Sequence, residues 1–302
     1  MFINYLYRKL LSETTRRKSE RLIITVAILS FLLHLLLIGL KELNLFDIWP
    51  NAELLKSPIA AIYTPFSFIL VYEVYLLVYY LPKSISQYIS KQYEIITLVV
   101  IRRIFKDLAK LNLVSDWFEN SYDLQLTFDI ITTVVLFGLI LIFSRLNRRR
   151  SAKATKGERS IALENFINRK RTLAVLLVPV FLGLALYSFA EWIYTSLVLH
   201  AEGVDSFGDI NDIFFNEFFT VLILADVLLL LFSFFHTDQF NKVIRNSGFI
   251  ISTILIRISF SVEGLINNIL IVSAVIFGVL ILALHNGYEK NRVVEIKPKA
   301  DI

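Results

Sequence analysis

The chain is expected to be an all-α integral membrane bundle of about eight transmembrane helices, arranged as two parallel four-helix repeats, and three observations lead there. Of its 302 residues, 56% are hydrophobic and 19% charged, and its mean hydropathy is +0.64; soluble domains lie nearer 45–50% apolar with about a quarter charged. Long apolar runs alternate with short charged patches, the pattern of a chain solvated by lipid. The order of these features also recurs between the two halves, the signature of an internal duplication.

The elements follow in chain order. Residues 1–21 are polar and basic (Arg8, Lys9, Arg16, Arg17, Lys18, Arg21) and suit an amphipathic helix on the membrane surface. Leu22 to Leu40 is the first span, apolar apart from His34; no small-residue cleavage site follows it, so it reads as retained, not as a leader. The next loop carries Glu42, Asp47 and Glu53. Pro58 to Leu81 is the second span, with Glu73 well inside and a tyrosine stripe of Tyr72, Tyr75, Tyr79 and Tyr80.

The third segment, Tyr93 to Leu111, is ambiguous. Its apolar core, Ile95 to Ile101, is short and is followed by Arg102, Arg103, Lys106 and Lys110, so taken alone it suits an interfacial helix. Leu126 to Phe143 is the fourth span. Asp129 reads as a first-turn acid favoured by the helix dipole. The stretch Arg145 to Arg171 then holds ten Lys/Arg against two Glu.

The second half repeats the plan. Leu173 to Leu199 is a span with Glu191 beside Trp192 and Tyr194 near one interface. An acidic loop without Lys or Arg follows, then Phe218 to Phe235 around Asp226. Gly248 to Val262, containing Arg257, and Gly264 to Leu284 complete the set. Glu73-Val74 aligns with Asp226-Val227 at an offset of 153, Lys91 and Arg103 with Arg245 and Arg257 at 154, and VLFGLIL at 135–141 with VIFGVLI at 275–281 at 140, which makes the connection between the third and fourth helices shorter in the second copy. The organisation is a basic interfacial segment 1–21, a first repeat 22–147, a basic cytoplasmic linker 148–171, a second repeat 172–286 and a tail 287–302.

Lys and Arg in short loops mark the cytoplasmic face. The N-terminus, the central linker and the C-terminal exit are the strongly basic segments, so all three are expected inside, in contact with anionic headgroups. An interfacial third helix would leave three spans per copy and put the ten-charge linker outside. The third helix is therefore expected to cross, giving parallel copies with both termini cytoplasmic. Compact size without large soluble domains suggests a bacterial cytoplasmic membrane.

An ionisable side chain at mid-bilayer costs about 2.5–3.5 kcal/mol on insertion scales and is expected to have a partner. The sequence offers Glu73 with Arg102 or Arg103, and Asp226 with Arg257. Counting back to the nearest loop at 1.5 Å per residue puts Glu73 roughly 13 Å and Arg102 roughly 16 Å from the same face, a permissive depth. These five residues are the candidates for an ion or proton pathway in a channel or transporter-like protein; the competing account of each pair is a structural ion pair that sets helix packing. For His34 a packed, hydrogen-bonded role is expected.

Other classes find no support. The charge of +5 sits beside the apolar runs, which argues against nucleic acid, and there is no cysteine. The four histidines lie in separate segments, with no metal spacing, no phosphate-binding glycine loop and no serine elbow. The chain is expected to be neither an enzyme nor a cofactor protein. The alternative function is a non-catalytic membrane scaffold or subunit, docking a second copy or the transmembrane helices of another membrane protein.

Overall fold

The computed structural model describes residues 2–43, 58–109, 121–151, 161–198, 208–235, 239–262 and 264–296. Residues 44–57 and 199–207 of the acidic loops, 110–120, 152–160 of the basic linker and the end of the tail lie outside them, as do the side chains of Glu191, Trp192 and Tyr194. Among the described residues the regular structure is all helical: α1 (Phe2–Leu10), α2 (Glu13–Glu42), a 3-10 turn (Pro58–Ile62), α3 (Tyr63–Tyr80), α4 (Ile85–Ala109), α5 (Ser121–Ser151), α6 (Ile161–Val198), α7 (Gly208–Phe234), α8 (Phe240–Ser259) and α9 (Gly264–Ile296). Five stretches are long and apolar enough to cross a membrane: Glu13–Glu42, Asp123–Arg148, Glu164–Tyr187, Glu217–Phe234 and Gly264–Asn291. Thr64–Tyr80 is a shorter apolar helix.

The helices form two compact units, and each draws on both halves of the chain. One comprises Met1–Pro82, Arg102–Asp116 and Arg171–Val221; the other comprises Lys83–Ile101, Trp117–Lys170 and Leu222–Ile302.

In the first unit the basic N-terminal segment divides. Ser12, in an extended conformation, caps α2 by accepting a hydrogen bond from the Thr15 amide at 3.1 Å, and satisfies one of the donors a helix start leaves open. Only α1 is thus a separate short helix, while Glu13–Arg21 continues into the first apolar run. α2 then extends roughly 45 Å, longer than the ~30 Å hydrocarbon core. α3 packs antiparallel on α2. Tyr79 donates to Glu13, Tyr72 to Glu20 at 3.1 Å, and His34 Nδ1 meets Thr64 Oγ1 at 2.6 Å, so partner numbers fall along α3 as they rise along α2. Tyr75 reaches the Leu10 carbonyl at 3.0 Å. The tyrosine stripe therefore docks the basic start of α2 against α3.

The outer face of α2 is apolar. Leu22, Ile28, Leu29, Leu32, Leu33 and Leu36 are all more than half exposed. In water these six would together forgo about 9–18 kcal/mol of burial at 1.5–3 kcal/mol each, as much as the ~5–15 kcal/mol that holds a whole domain. A lipid solvent removes that penalty.

In the second unit α8 and α9 form an antiparallel hairpin. Their turn ends at Gly264, whose φ of +72° lies in the left-handed region open to glycine. The pair is fixed from end to end. Asn241 donates to Glu289, Ser252 to the Ala274 carbonyl at 2.6 Å, and Asn267 to the Ser259 carbonyl at 2.6 Å. α7 pairs antiparallel with α8 through Ser233 with Asn246 and Asp226 with Thr253. α5 instead runs parallel to α9: Asn268 donates to Asp129 at 2.7 Å, and Asn286 donates to the Leu146 carbonyl at 3.0 Å.

α8 is polar inward and apolar outward. Its exposed large side chains are Phe240, Ile244, Ile251, Leu255 and Ile258, whereas Asn241, Arg245, Asn246, Ser252, Thr253 and Ser259 are buried. A surface helix of a water-soluble protein has the opposite distribution. α4 does not lie as an amphipathic surface helix either. Ser86, Tyr88, Ile89, Gln92, Tyr93, Ile95, Ile96, Thr97, Val100 and Arg102 are all buried, which takes in most of its circumference.

Candidate functional site

The two acids within apolar helices, Glu73 and Asp226, are both buried, in different settings. Glu73 on α3 and Arg102 on α4 belong to the first unit and form an ion pair of 3.2 Å. The aromatic contact of Phe66 with Phe105, 5.1 Å between ring centres, holds the same two helices a turn or two away. Of the two arginines offered by the sequence, Arg102 takes the acid. Arg103, the next residue and so about 100° round the helix, is only half-buried.

Asp226, in the second unit, is not held by Arg257. Its neighbours are neutral: Gln92 Nε2 donates to Oδ2 at 3.1 Å, and the Thr253 hydroxyl lies 3.3 Å from the same oxygen. Helix register explains the difference. The α8 residue level with Asp226 is Thr253. Arg257 lies one turn further, roughly 6 Å along the axis, in the last turn of α8, where its charge complements the helix dipole.

Tyr88 completes the group. It stands one turn before Gln92 on α4, on the same face, and its hydroxyl lies beside both the Asp226 carboxylate and the Gln92 amide. In the orientations the structure shows it meets hydrogen-bond geometry with neither. Asp226 is 1% exposed, Tyr88 2% and Gln92 4%. Tyr88 Oη, Gln92 Oε1 and Asp226 Oδ1 are buried with no hydrogen-bond partner among the described residues.

Further polar groups continue along the buried face of α8. Towards its start, Arg245 donates to Asn246 Oδ1 at 2.7 and 3.1 Å and to His285 Nε2 at 3.2 Å. Because arginine can only donate, His285 Nε2 must accept, so the ring proton sits on Nδ1 and points to the Asn241 carbonyl at 3.2 Å. Asn246 in turn donates to Ser233 at 2.7 Å. In the middle of α8, Ser252 gives its proton to the Ala274 carbonyl and is left to accept from the Tyr93 hydroxyl at 2.7 Å.

At the far end Asp129 accepts from Gln125 at 2.8 Å and from Asn268. Asp129 is not the first-turn acid expected from sequence, because α5 begins eight residues earlier at Ser121. It is wholly buried and ties α5 to α9. His34 has the packed, hydrogen-bonded setting expected of it.

Tyr88, Gln92, Thr253, Asn246, His285 and Asn268 were not singled out by sequence. One signal was available for α8: Asn241, Arg245, Gly248, Ser252 and Ser259 recur at spacings of three, four and seven, which puts small and polar groups on one face. Among the described residues no group of three His, Cys, Asp or Glu side chains is placed to hold a metal ion.

No protein family model matches the chain, and neither a curated relative nor a solved structure does.

Proposed function

We propose that the chain is an integral membrane protein of eight transmembrane helices, α2 to α9, and that it moves a small ion or proton through a path lined by its buried polar side chains. The observation that carries this reading is the buried face of α8, which runs from Arg245 and Asn246 through Ser252 and Thr253 to Ser259 and meets the carboxylate of Asp226 midway. A fold needing only stability fills such a face with apolar side chains, since polar groups at membrane depth are costly and mark ion and proton routes.

The count of eight adds α3, α4 and α8 to the five long apolar helices. α8 has twenty residues, roughly 30 Å of helix, and turns its apolar side outward. The duplication draws support from α5 and α9. Their hydrogen bonds join residues 139 and 140 apart, so positions that the sequence repeat aligns at 140 are neighbours at one level in a parallel pair. The basic segments favour a cytoplasmic position for both termini and residues 148–171, against anionic headgroups, and the compact size favours a bacterial cytoplasmic membrane.

The test is flux. Purified protein reconstituted in liposomes should carry proton or small-cation current, and Glu73→Gln with Asp226→Asn should abolish it; unchanged flux in that variant removes these acids from any mechanism. The closed Glu73–Arg102 pair favours a second reading, a membrane scaffold whose buried ion pair sets helix packing. That reading predicts no flux at all and a membrane protein that copurifies.

A further inference from the structure

We infer that Asp226, Tyr88 and Gln92 form a proton-binding ring in which one proton, held on Asp226 Oδ1, closes a cycle of three hydrogen bonds. The inference deepens the transport reading by naming the carried ion as a proton, and it depends on that reading only for the movement, not for the site.

The argument is a count of donors and acceptors. Three buried oxygens in this group have no partner among the described residues: Asp226 Oδ1, Tyr88 Oη and Gln92 Oε1. The Gln92 amide already gives a proton to Asp226 Oδ2 at 3.1 Å. With Asp226 ionised, the second Gln92 amide N–H diverges from the one given to Oδ2, so the donor beside the two remaining acceptors, Asp226 Oδ1 and Gln92 Oε1, is the Tyr88 hydroxyl. One acceptor stays open whichever way the phenol turns, and a buried open acceptor costs about 1–3 kcal/mol.

Adding a proton to Asp226 Oδ1 closes the set. Oδ1–H donates to Tyr88 Oη, Tyr88 Oη–H donates to Gln92 Oε1, and Gln92 Nε2–H donates to Asp226 Oδ2. Each side chain then donates once and accepts once, and no charge remains. Tyr88 Oη lies beside both partners but outside hydrogen-bond geometry with either, so closing the set takes a small shift of these side chains as well as a turn of the hydroxyl.

The surroundings point the same way. An ionised carboxylate out of water needs a cation or several strong donors. Among the described residues the polar groups that act on Asp226 are Tyr88 and Gln92 from α4 and Thr253 from α8, of which Tyr88 alone titrates and none carries a positive charge. Thr253 adds little. Its single proton has a nearer acceptor in the Ile250 carbonyl at 2.9 Å than in Asp226 Oδ2 at 3.3 Å.

The proton leaves as it came. Release from Asp226 Oδ1 leaves a carboxylate to which the Tyr88 hydroxyl can swing, breaking its bond to Gln92. The ring therefore has a filled and an empty form that differ by one proton and a small movement of the Tyr88 side chain, as a carrier site requires.

Infrared spectroscopy of the full-length protein in liposomes tests the site directly. At neutral pH, the wild-type spectrum minus that of Asp226→Asn should contain the carbonyl stretch of a protonated carboxylic acid. In Tyr88→Phe, which loses the acceptor of the acid proton, the same subtraction should show the band moved to higher frequency. If the subtraction contains only the stretches of an ionised carboxylate, the inference fails. It also fails if the acid band appears in choline buffer and is replaced by carboxylate stretches when sodium is supplied, since the three oxygens would then be a metal-cation site.

Proton flux measured on the same liposomes answers the separate question. Flux lost in Asp226→Asn supports transport through the ring. Flux unaltered by Asp226→Asn while the acid band is present sinks transport and leaves the proton site standing.

Discussion

The Tyr93 hydroxyl occupies the space that a β carbon on Gly278 would need. Tyr93 is buried, donates to Ser252, and packs edge-on against Phe143, whose ring lies 5.7 Å from that of Phe249. The absent side chain of Gly278 thus lets a large phenol sit flush on α9. Gly278→Ala should destabilise the protein by about 1–3 kcal/mol, the usual cost of overpacking. Gly138, its partner in the repeated motif, has nothing within 4 Å of the corresponding position. Gly138→Ala should therefore be neutral, or stabilising by up to ~1 kcal/mol through helix propensity. Thermal midpoints in detergent compare the two; equal effects would mean that Tyr93 does not rest on Gly278.

Breaking the Glu73–Arg102 pair from either side should cost about 3–5 kcal/mol, because the remaining charge stays buried without its mate. Replacing both, as Glu73→Gln with Arg102→Met, should recover most of that loss. Unfolding in mixed micelles gives the comparison. A double variant as unstable as the worse single would show that the two side chains act independently.

The Asp129–Asn268 hydrogen bond joins the parallel helices α5 and α9. A double-mutant cycle with Asp129→Ala and Asn268→Ala should return a coupling of ~0.6–1.7 kcal/mol, the range for side-chain bonds between membrane helices. Additive losses would place the stability of that seam in its apolar contacts.

The chain lacks cysteine, so single thiols can be introduced on a silent background. Lys18→Cys and Lys156→Cys should both react with a membrane-impermeant maleimide only from the cytoplasmic face. Labelling of position 156 from the opposite side would mean an odd number of crossings between them, and the four-span repeat would fall.

Much of this was legible in the sequence because lipid imposes a coarse pattern. The run Leu22 to Leu40 and the run Gly264 to Leu284 declare themselves by length and composition alone. Burial of Glu73 and Asp226 was also readable, since each stands alone in an apolar segment. Partner choice was not. Arg257 is separated from Asp226 by a single helical turn, and a turn of register depends on where α8 starts. Its polar beginning, Phe240 to Ser247, lies outside the apolar segment Gly248 to Val262 because it carries Asn241, Lys242, Arg245 and Asn246. In the same way α4 begins at Ile85, before the segment Tyr93 to Leu111 read from sequence, and its first turns hold Tyr88 and Gln92. A helix whose polar residues face inward has no apolar run to reveal its ends, and both helices that supply the Asp226 site are of that kind.

The inward polarity of α8 bears on how the chain enters the membrane. Crossing on its own, as the proposed arrangement has it, α8 would expose Arg245, Asn241 and Asn246 to hydrocarbon, at a cost for the arginine that reaches about 2.5–3.5 kcal/mol at a helix centre. α9 immediately follows across a four-residue turn and supplies His285, Glu289 and the Ala274 carbonyl. In the proposed eight-span arrangement the two helices are thus expected to leave the translocation machinery together, and a ribosome halted before α9 has emerged should leave α8 at the headgroups.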